Sequence, residues 1–208
     1  PTSIKLGFSS LLVLIIFSVI FALSNINNER ILNKVTIMGI DVSNMSREDA
    51  KNNINKVINS KLSEELVLKK DDYETTINAT QLNVNFDIEN AINEAYNIGR
   101  DGNIITNNYM ILWTLIFGKD INCNFNYNED TLNKKIDDIS SKLPGAVVQN
   151  SYYIEDEELV IVRGTEGISI KKEELKNIII EEIKKVEQKY NIVTIPTEEV
   201  KPEEINLE

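Results

Sequence analysis

The sequence predicts an α+β protein: two tandem β-α-β-hairpin-α units that form one domain, preceded by a single transmembrane helix. Three observations carry this prediction. An uncharged apolar run opens the chain. Short alternating strands and amphipathic helices then succeed one another. Finally, the same order of elements recurs at an offset of about 85 residues.

The apolar run, Leu6 to Leu23, has 18 residues and no charge. As a helix it would be roughly 27 Å long, close to the hydrocarbon thickness of a bilayer. A core helix of that length would carry a polar face. Ala22-Leu23-Ser24 also offers a cleavage site of the signal-peptide kind. The run exceeds a usual signal core, however, and Ile26, Ile31 and Leu32 come soon after it, which favours an uncleaved signal-anchor over residues 6–24. Because the chain opens on Pro1 rather than Met, residues 1–5 are expected to be a truncated cytoplasmic stub. Residues 25–34 then read as a linker. The chain from residue 35 onward is expected to face outward from a single-pass anchor in the cell membrane.

A domain is expected over residues 35–195, with halves at 35–100 and 120–190 and a connector at 101–119. In the first half Val35 to Val42 reads as a strand. Ser46 with Asp49 three residues on forms an acidic capping box, and Ala50, Ile54, Val57, Ile58 and Leu62 make one helical stripe. Leu66 to Leu68 and Tyr73 to Ile77 read as a hairpin about Lys70-Asp71-Asp72, and Leu82 to Phe86 as a third strand. Asp87 caps a helix bearing Ile88, Ala91, Ile92 and Ala95, which stops at Gly99.

The second half repeats this order. Ile121, Cys123, Phe125 and Tyr127 alternate with asparagines as a strand. Asn128 caps a helix with Leu132, Ile136, Ile139 and Leu143 on one face, ended by Pro144-Gly145. Tyr152 to Ile154 and Leu159 to Val162 read as a hairpin, Gly167 to Ile170 as a strand, and Leu175, Ile178, Ile179, Ile183 and Val186 as the face of a last helix. Ile192 to Ile195 is a final strand. Residues 196–208, acidic and carrying Pro202, are expected to be a linker to a further C-terminal module.

Composition narrows the function. The chain has no His, so no imidazole chemistry is available, and its lone Cys123 allows neither an internal disulfide nor a multi-Cys metal site. The net charge of −11 argues against nucleic acid as a partner. Only Lys5 lies before position 25 among the charged residues, so the outward part carries −12. Cys123 stands at an inward-alternating position, as a small apolar residue would. The carboxylate clusters fall at turns or on a solvent face. No catalytic residue, metal ligand or cofactor is assigned.

Two features carry a binding reading. Gly99-Arg100-Asp101-Gly102 is a turn in which Arg100 either satisfies the last helical carbonyls or holds a ligand carboxylate with its planar fork. Tyr109 to Phe117, in the connector, is too short to span a bilayer. It is either a helix roofing the core with Trp113 buried, or an exposed patch that meets membrane or a partner. Arg100, Asp101 and Trp113 are the candidate binding residues.

Met38-Gly39-Ile40-Asp41-Val42 through Ala50 resembles the opening of the putative peptidoglycan-binding domain in the N-terminal region of VanW-like (YoaR-type) proteins. Ala95 to Gly102 resembles that family's Gly-Arg-x-Gly turn, and Gly164-Thr165-Glu166-Gly167 its Glu-Gly step before the last helix. The resemblance covers residues 35–195 and departs at Asn83, where the analogous second-half residue is Gly167. It implies a non-catalytic, extracytoplasmic domain of a Gram-positive bacterium that binds peptidoglycan through its glycan or its stem peptide. The alternative is a structural spacer or protein-interaction ectodomain presenting a VanW or L,D-transpeptidase-type module beyond Glu208.

Overall fold

A computed structural model describes the backbone of residues 2–205 and the side chains of residues 9–205. Pro1, in the expected stub, and residues 206–208, in the expected linker, lie outside the described residues. The protein is a mixed α+β structure with small sheets, and one long apolar helix leads it.

That helix, α1 (Thr2–Ile26), contains the expected anchor. Over Ser9–Ile26 it is long and apolar enough to cross a membrane. Next come β1 (Val35–Ile37) and β2 (Ile40–Asp41), where the sequence predicts one strand. Met38 at φ 51° and Gly39 at φ 79° both take left-handed backbone and fold the strand back, setting Ile37 opposite Ile40. The capping box forms as expected: Ser46 Oγ accepts from Asp49 N at 3.1 Å and donates to Asp49 Oδ2 at 2.7 Å, at the head of α2 (Arg47–Leu62). Ala50, Ile54 and Ile58 bury its stripe.

β3 (Glu65–Lys70) and β4 (Tyr73–Asn78) form the expected hairpin. The strand predicted at Leu82 to Phe86 shrinks to β5 (Asn85–Phe86), because Asn78 captures the backbone ahead of it. Its Oδ1 accepts from Thr80 N at 2.9 Å and starts a 3-10 turn over Ala79–Leu82, which Asn83 ends at φ 49°. Asp87 then caps α3 (Ile88–Asn97), accepting from Asn90 N at 3.2 Å.

The connector contains α4 (Ile104–Phe117). The single strand predicted from Ile121 to Tyr127 is two, β6 (Lys119–Ile121) and β7 (Phe125–Asn126), because the segment changes partner. Ile121 runs parallel to Ile37, whereas Phe125 pairs antiparallel with Phe86 and their rings meet at 5.1 Å. Asn128 caps α5 (Glu129–Lys142), accepting from Thr131 N at 2.9 Å. β8 (Ser151–Glu155) and β9 (Glu158–Val162) form the expected hairpin through left-handed Asp156 and Glu157.

β10 (Gly167–Ile170), α6 (Lys172–Lys184), β11 (Val193–Thr194) and β12 (Thr197–Val200) complete the chain. β12 is a correction, since residues 196–208 read as linker. Thr197–Val200 pairs antiparallel with β10 in full register, held by backbone hydrogen bonds that need no apolar side chain.

Two compact units result, and each draws on two stretches of chain. Residues 1–61 and 85–126 form the first. Its sheet has the order β2-β1-β6, and its core includes Val35, Ile37, Ile54, Ile92, Ala95 and Ile121. Residues 62–84 and 127–208 form the second. It holds the β11-β3-β4 sheet, the β10-β12 pair and the packed helices α5 and α6, with Leu66, Leu68, Leu132, Ile136, Leu175 and Ile179 in its core.

One residue in each unit puts this packing to the test. Gly99 sits at φ 72°, and a Cβ there would lie 2.4 Å from Ile111 Cγ1. Gly99→Ala combines left-handed strain with overpacking and should destabilise the first unit by about 2–4 kcal/mol, read from urea denaturation in mild detergent. In the second unit Glu182 is buried on α6. It accepts from Lys185 Nζ at 2.6 Å and from Asn191 N and Nδ2 at 3.1 and 3.0 Å. Burial alone would raise its pKa, but these donors outweigh that and hold it below the ordinary carboxylate value. Its stabilisation is therefore complete above the unfolded pKa of about 4.3 and fades as pH falls through the lower folded value. Glu182→Gln should lower the urea midpoint at neutral pH, and the gap to wild type should close on acidification through that window.

Candidate functional site

The turn after α3 is built around Arg100. Gly99 reverses the chain, and the Arg100 guanidinium lies over the Tyr96 ring at 4.2 Å, with Arg47 stacked on the same ring at 3.8 Å. Arg100 donates from Nη1 to Tyr96 O, and from Nη2 to Asn28 O and Arg30 O, both at 2.8 Å. Burial, the leading cause, lowers its pKa from the ordinary value, though an arginine remains charged. The geometry thus assigns Arg100 to three backbone carbonyls. It ties the chain leaving α1 to the end of α3.

Asp101 beside it is exposed. It lines a cleft of about 200 Å³ together with Glu94, Gly102, Asn107, Met110 and Lys119. The loop leading into α4 is clamped from within: Gly102 N donates to Asn107 Oδ1 at 2.8 Å, and Asn107 Nδ2 donates back to Gly102 O at 2.9 Å.

Trp113 does not line that cleft. It is 50% exposed on α4, with Tyr109 one turn before it at 5.9 Å and Phe117 one turn after it at 4.4 Å between ring centres. Of the two expected arrangements of the connector, the exposed patch is the one observed. The residues α4 buries are Asn107, Asn108, Ile111 and Thr114. Sequence reading missed these polar side chains. Their one-sided spacing within an otherwise apolar helix was the available signal.

Cys123 is half-buried. Burial chiefly, and Asp87 next to it, push its thiol up to about 11, so it is neutral near pH 7 and a poor nucleophile. Among the described residues, no group of three or more Cys, Asp or Glu side chains could hold a metal ion.

The second unit has a more open recess. Glu166, Gly167 and Ile168 on the β10 side and Glu199, Val200 and Lys201 on the β12 side line a cleft of about 450 Å³. Lys201 Nζ stands 3.0 Å from Glu166 Oε1 at its rim. An exposed carboxylate and ammonium side by side can meet the charged ends and amides of a peptide. Nearby in sequence, the β8–β9 hairpin presents Tyr152, Ile154, Leu159 and Ile161 on one exposed face. Sequence reading missed the cleft because its β12 wall was read as linker.

A family model described as "Putative peptidoglycan binding domain" matches residues 75–191, more than half of the chain. The chain belongs to this family. Comparison with curated proteins and with solved structures gives no match. The peptidoglycan-binding family region begins within β4 and runs past the end of α6. It therefore contains Arg100, Asp101, Trp113 and the β10 wall of the cleft, and leaves out α1, α2 and β12.

Replacing Arg100 tests its structural role within the peptidoglycan-binding family fold. Arg100→Met removes charge-assisted bonds to three carbonyls and should destabilise the chain by about 2–4 kcal/mol in urea melts. Arg100→Lys should recover only part of that, since one ammonium cannot reproduce the fork.

Proposed function

We propose that this chain is a membrane-anchored, wall-facing, non-catalytic peptidoglycan-binding domain of a VanW-like protein, with α1 as its single-pass anchor. The family match over residues 75–191 is the observation that carries the reading. The apolar, outwardly exposed α1 and the acidic remainder of the chain are consistent with it. Acidity disfavours anionic wall polymers and leaves the neutral glycan or the stem peptide as ligand. The cleft at the Gly167–Val200 end of the β10–β12 pair fits the stem peptide better, because Glu166 and Lys201 offer both charges beside an extended strand. The duplicated plan of strand, helix, hairpin, strand and helix remains part of this reading. No cofactor and no catalytic group enter it.

The test is co-sedimentation of the whole chain, in mild detergent, with sacculi stripped of teichoic acid. The chain should pellet with the sacculi across a range of salt concentrations, and Lys201→Glu should weaken that binding at least several-fold. If the chain stays in the supernatant at every salt concentration, the binding reading fails. The spacer or protein-interaction reading would then stand, and the commitment of Arg100 to backbone carbonyls already favours it over a ligand-holding turn.

A further inference from the structure

The helix α4 has its polarity reversed. A helix on a soluble protein buries its apolar stripe and shows water its polar one. α4 buries Asn107, Asn108 and Thr114 beside Ile111, and exposes Ile105 (80%), Tyr109 (64%), Ile116 (62%) and Phe117 (66%) along with Leu112 and Trp113. Small polar residues packed inward and bulky apolar ones outward is the arrangement of a helix in lipid.

Several of its terminal backbone groups have partners within the protein, which lowers the cost of placing the helix in hydrocarbon. At the amino end Asn103 Oδ1 accepts from Ile105 N and Thr106 N, both at 3.0 Å, and Asn107 clamps both polar groups of Gly102. At the carboxyl end Gly118 N donates to Thr114 O at 2.8 Å and Lys34 Nζ donates to Ile116 O at 3.1 Å. Asn108 Nδ2 donates to Ser18 O at 2.8 Å and also to Ser18 Oγ. Among the described residues of α4, Asn108 Oδ1 is the one buried side-chain atom left without a partner.

The helix is also continuous with the candidate membrane span. Ile111 packs at Gly99, whose carbonyl accepts from Asn25. Asn108 meets Ser18, and Ile104 and Ile105 line a groove of about 750 Å³ with Leu14 and Ile15. As residue number falls along α4 it falls along α1, so α4 descends beside α1. Lys34 and Lys119 stand at its carboxyl end, where long basic side chains reach headgroups. Fourteen residues give roughly 21 Å of helix, too little to cross a bilayer and enough to occupy one leaflet.

We propose that α4 is a second membrane element, lying beside α1 in the leaflet on the domain's side with Ile105, Tyr109, Leu112, Trp113, Ile116 and Phe117 against the lipid. This rests on the reading of α1 as a membrane anchor. Insertion of α4 gives the first unit a second hold on the bilayer beside α1, to which it is already tied through Asn25, Asn108 and Arg100.

Trp113 is the chain's sole tryptophan, so the unaltered protein reports on itself. The whole chain is reconstituted into phosphatidylcholine vesicles carrying a spin label near either the carbonyl or the methyl end of one acyl chain. Trp113 emission should shift to shorter wavelength, be quenched more by the shallow label than by the deep one, and resist iodide. Three results overturn the proposal. If the chain resists alkaline extraction yet Trp113 is quenched by iodide and not by lipid, α4 lies in water and the anchor reading survives. If Trp113 is shielded from both quenchers, protein covers it, whether a second copy or another partner. If alkaline washing strips the chain from the vesicles, the anchor reading fails and the insertion of α4 fails with it.

Discussion

The parallel pairing of Val35–Ile37 with Lys119–Ile121 is the constraint on which the first unit depends, because it joins residues 1–61 to residues 85–126. Asp120 sets its register. One carboxylate oxygen accepts from Thr36 Oγ1 at 2.5 Å and from Gly39 N at 2.9 Å, so the same atom aligns two distant strands and steadies the left-handed Met38-Gly39 turn. The second unit repeats the solution with less. Val193 lies beside Leu68 in parallel, and Ile195 N donates to Lys69 O at 2.8 Å. Parallel strands need a long crossover, and here the crossover of each unit includes chain that belongs to the other.

That interleaving explains which features the sequence disclosed and which it withheld. Ser46, Asp87 and Asn128 were legible as caps because a cap is settled within four residues. The hairpins at Asp71-Asp72 and Asp156-Glu157 were legible for the same reason. Strand partners were not. Ile121 to Tyr127 alternates without a break, and nothing local says that Ile121 answers Ile37 while Phe125 answers Phe86. Thr197–Val200 was hidden because three of its four side chains are polar and its order comes from backbone bonds to β10. Met38 at positive φ has no compositional mark at all.

The binding candidates divide along the same line. Arg100 and Asp101 are adjacent in sequence and differ in role. Arg100 turns inward to the carbonyls of Asn28 and Arg30, while Asp101 is exposed at the rim of a small cleft. A Gly-Arg-Asp-Gly turn looks alike in either use, and only the third dimension tells them apart. Trp113 shows the converse case. Its surroundings are apolar in sequence, as a core helix would be, and the structure sends that apolar stripe outward because asparagines fill the inner positions.

The two-segment build of each unit also sets an order of events as the chain lengthens from its amino end. Once residue 126 has been made, the unit containing α1 has all its strands and can close. Residues 62–84 emerge earlier, yet β3 has only β4 for company until Val193 and Thr194 arrive. Through that interval the β3–β4 hairpin keeps an unpaired edge, and an isolated hairpin is marginal in water. Contacts so far apart in sequence form slowly, and partly made chains with open edges are those that aggregate. The open edge belongs to β3, where Glu65, Lys69 and Lys70 set charge on either side of Leu66, Val67 and Leu68 until β11 arrives.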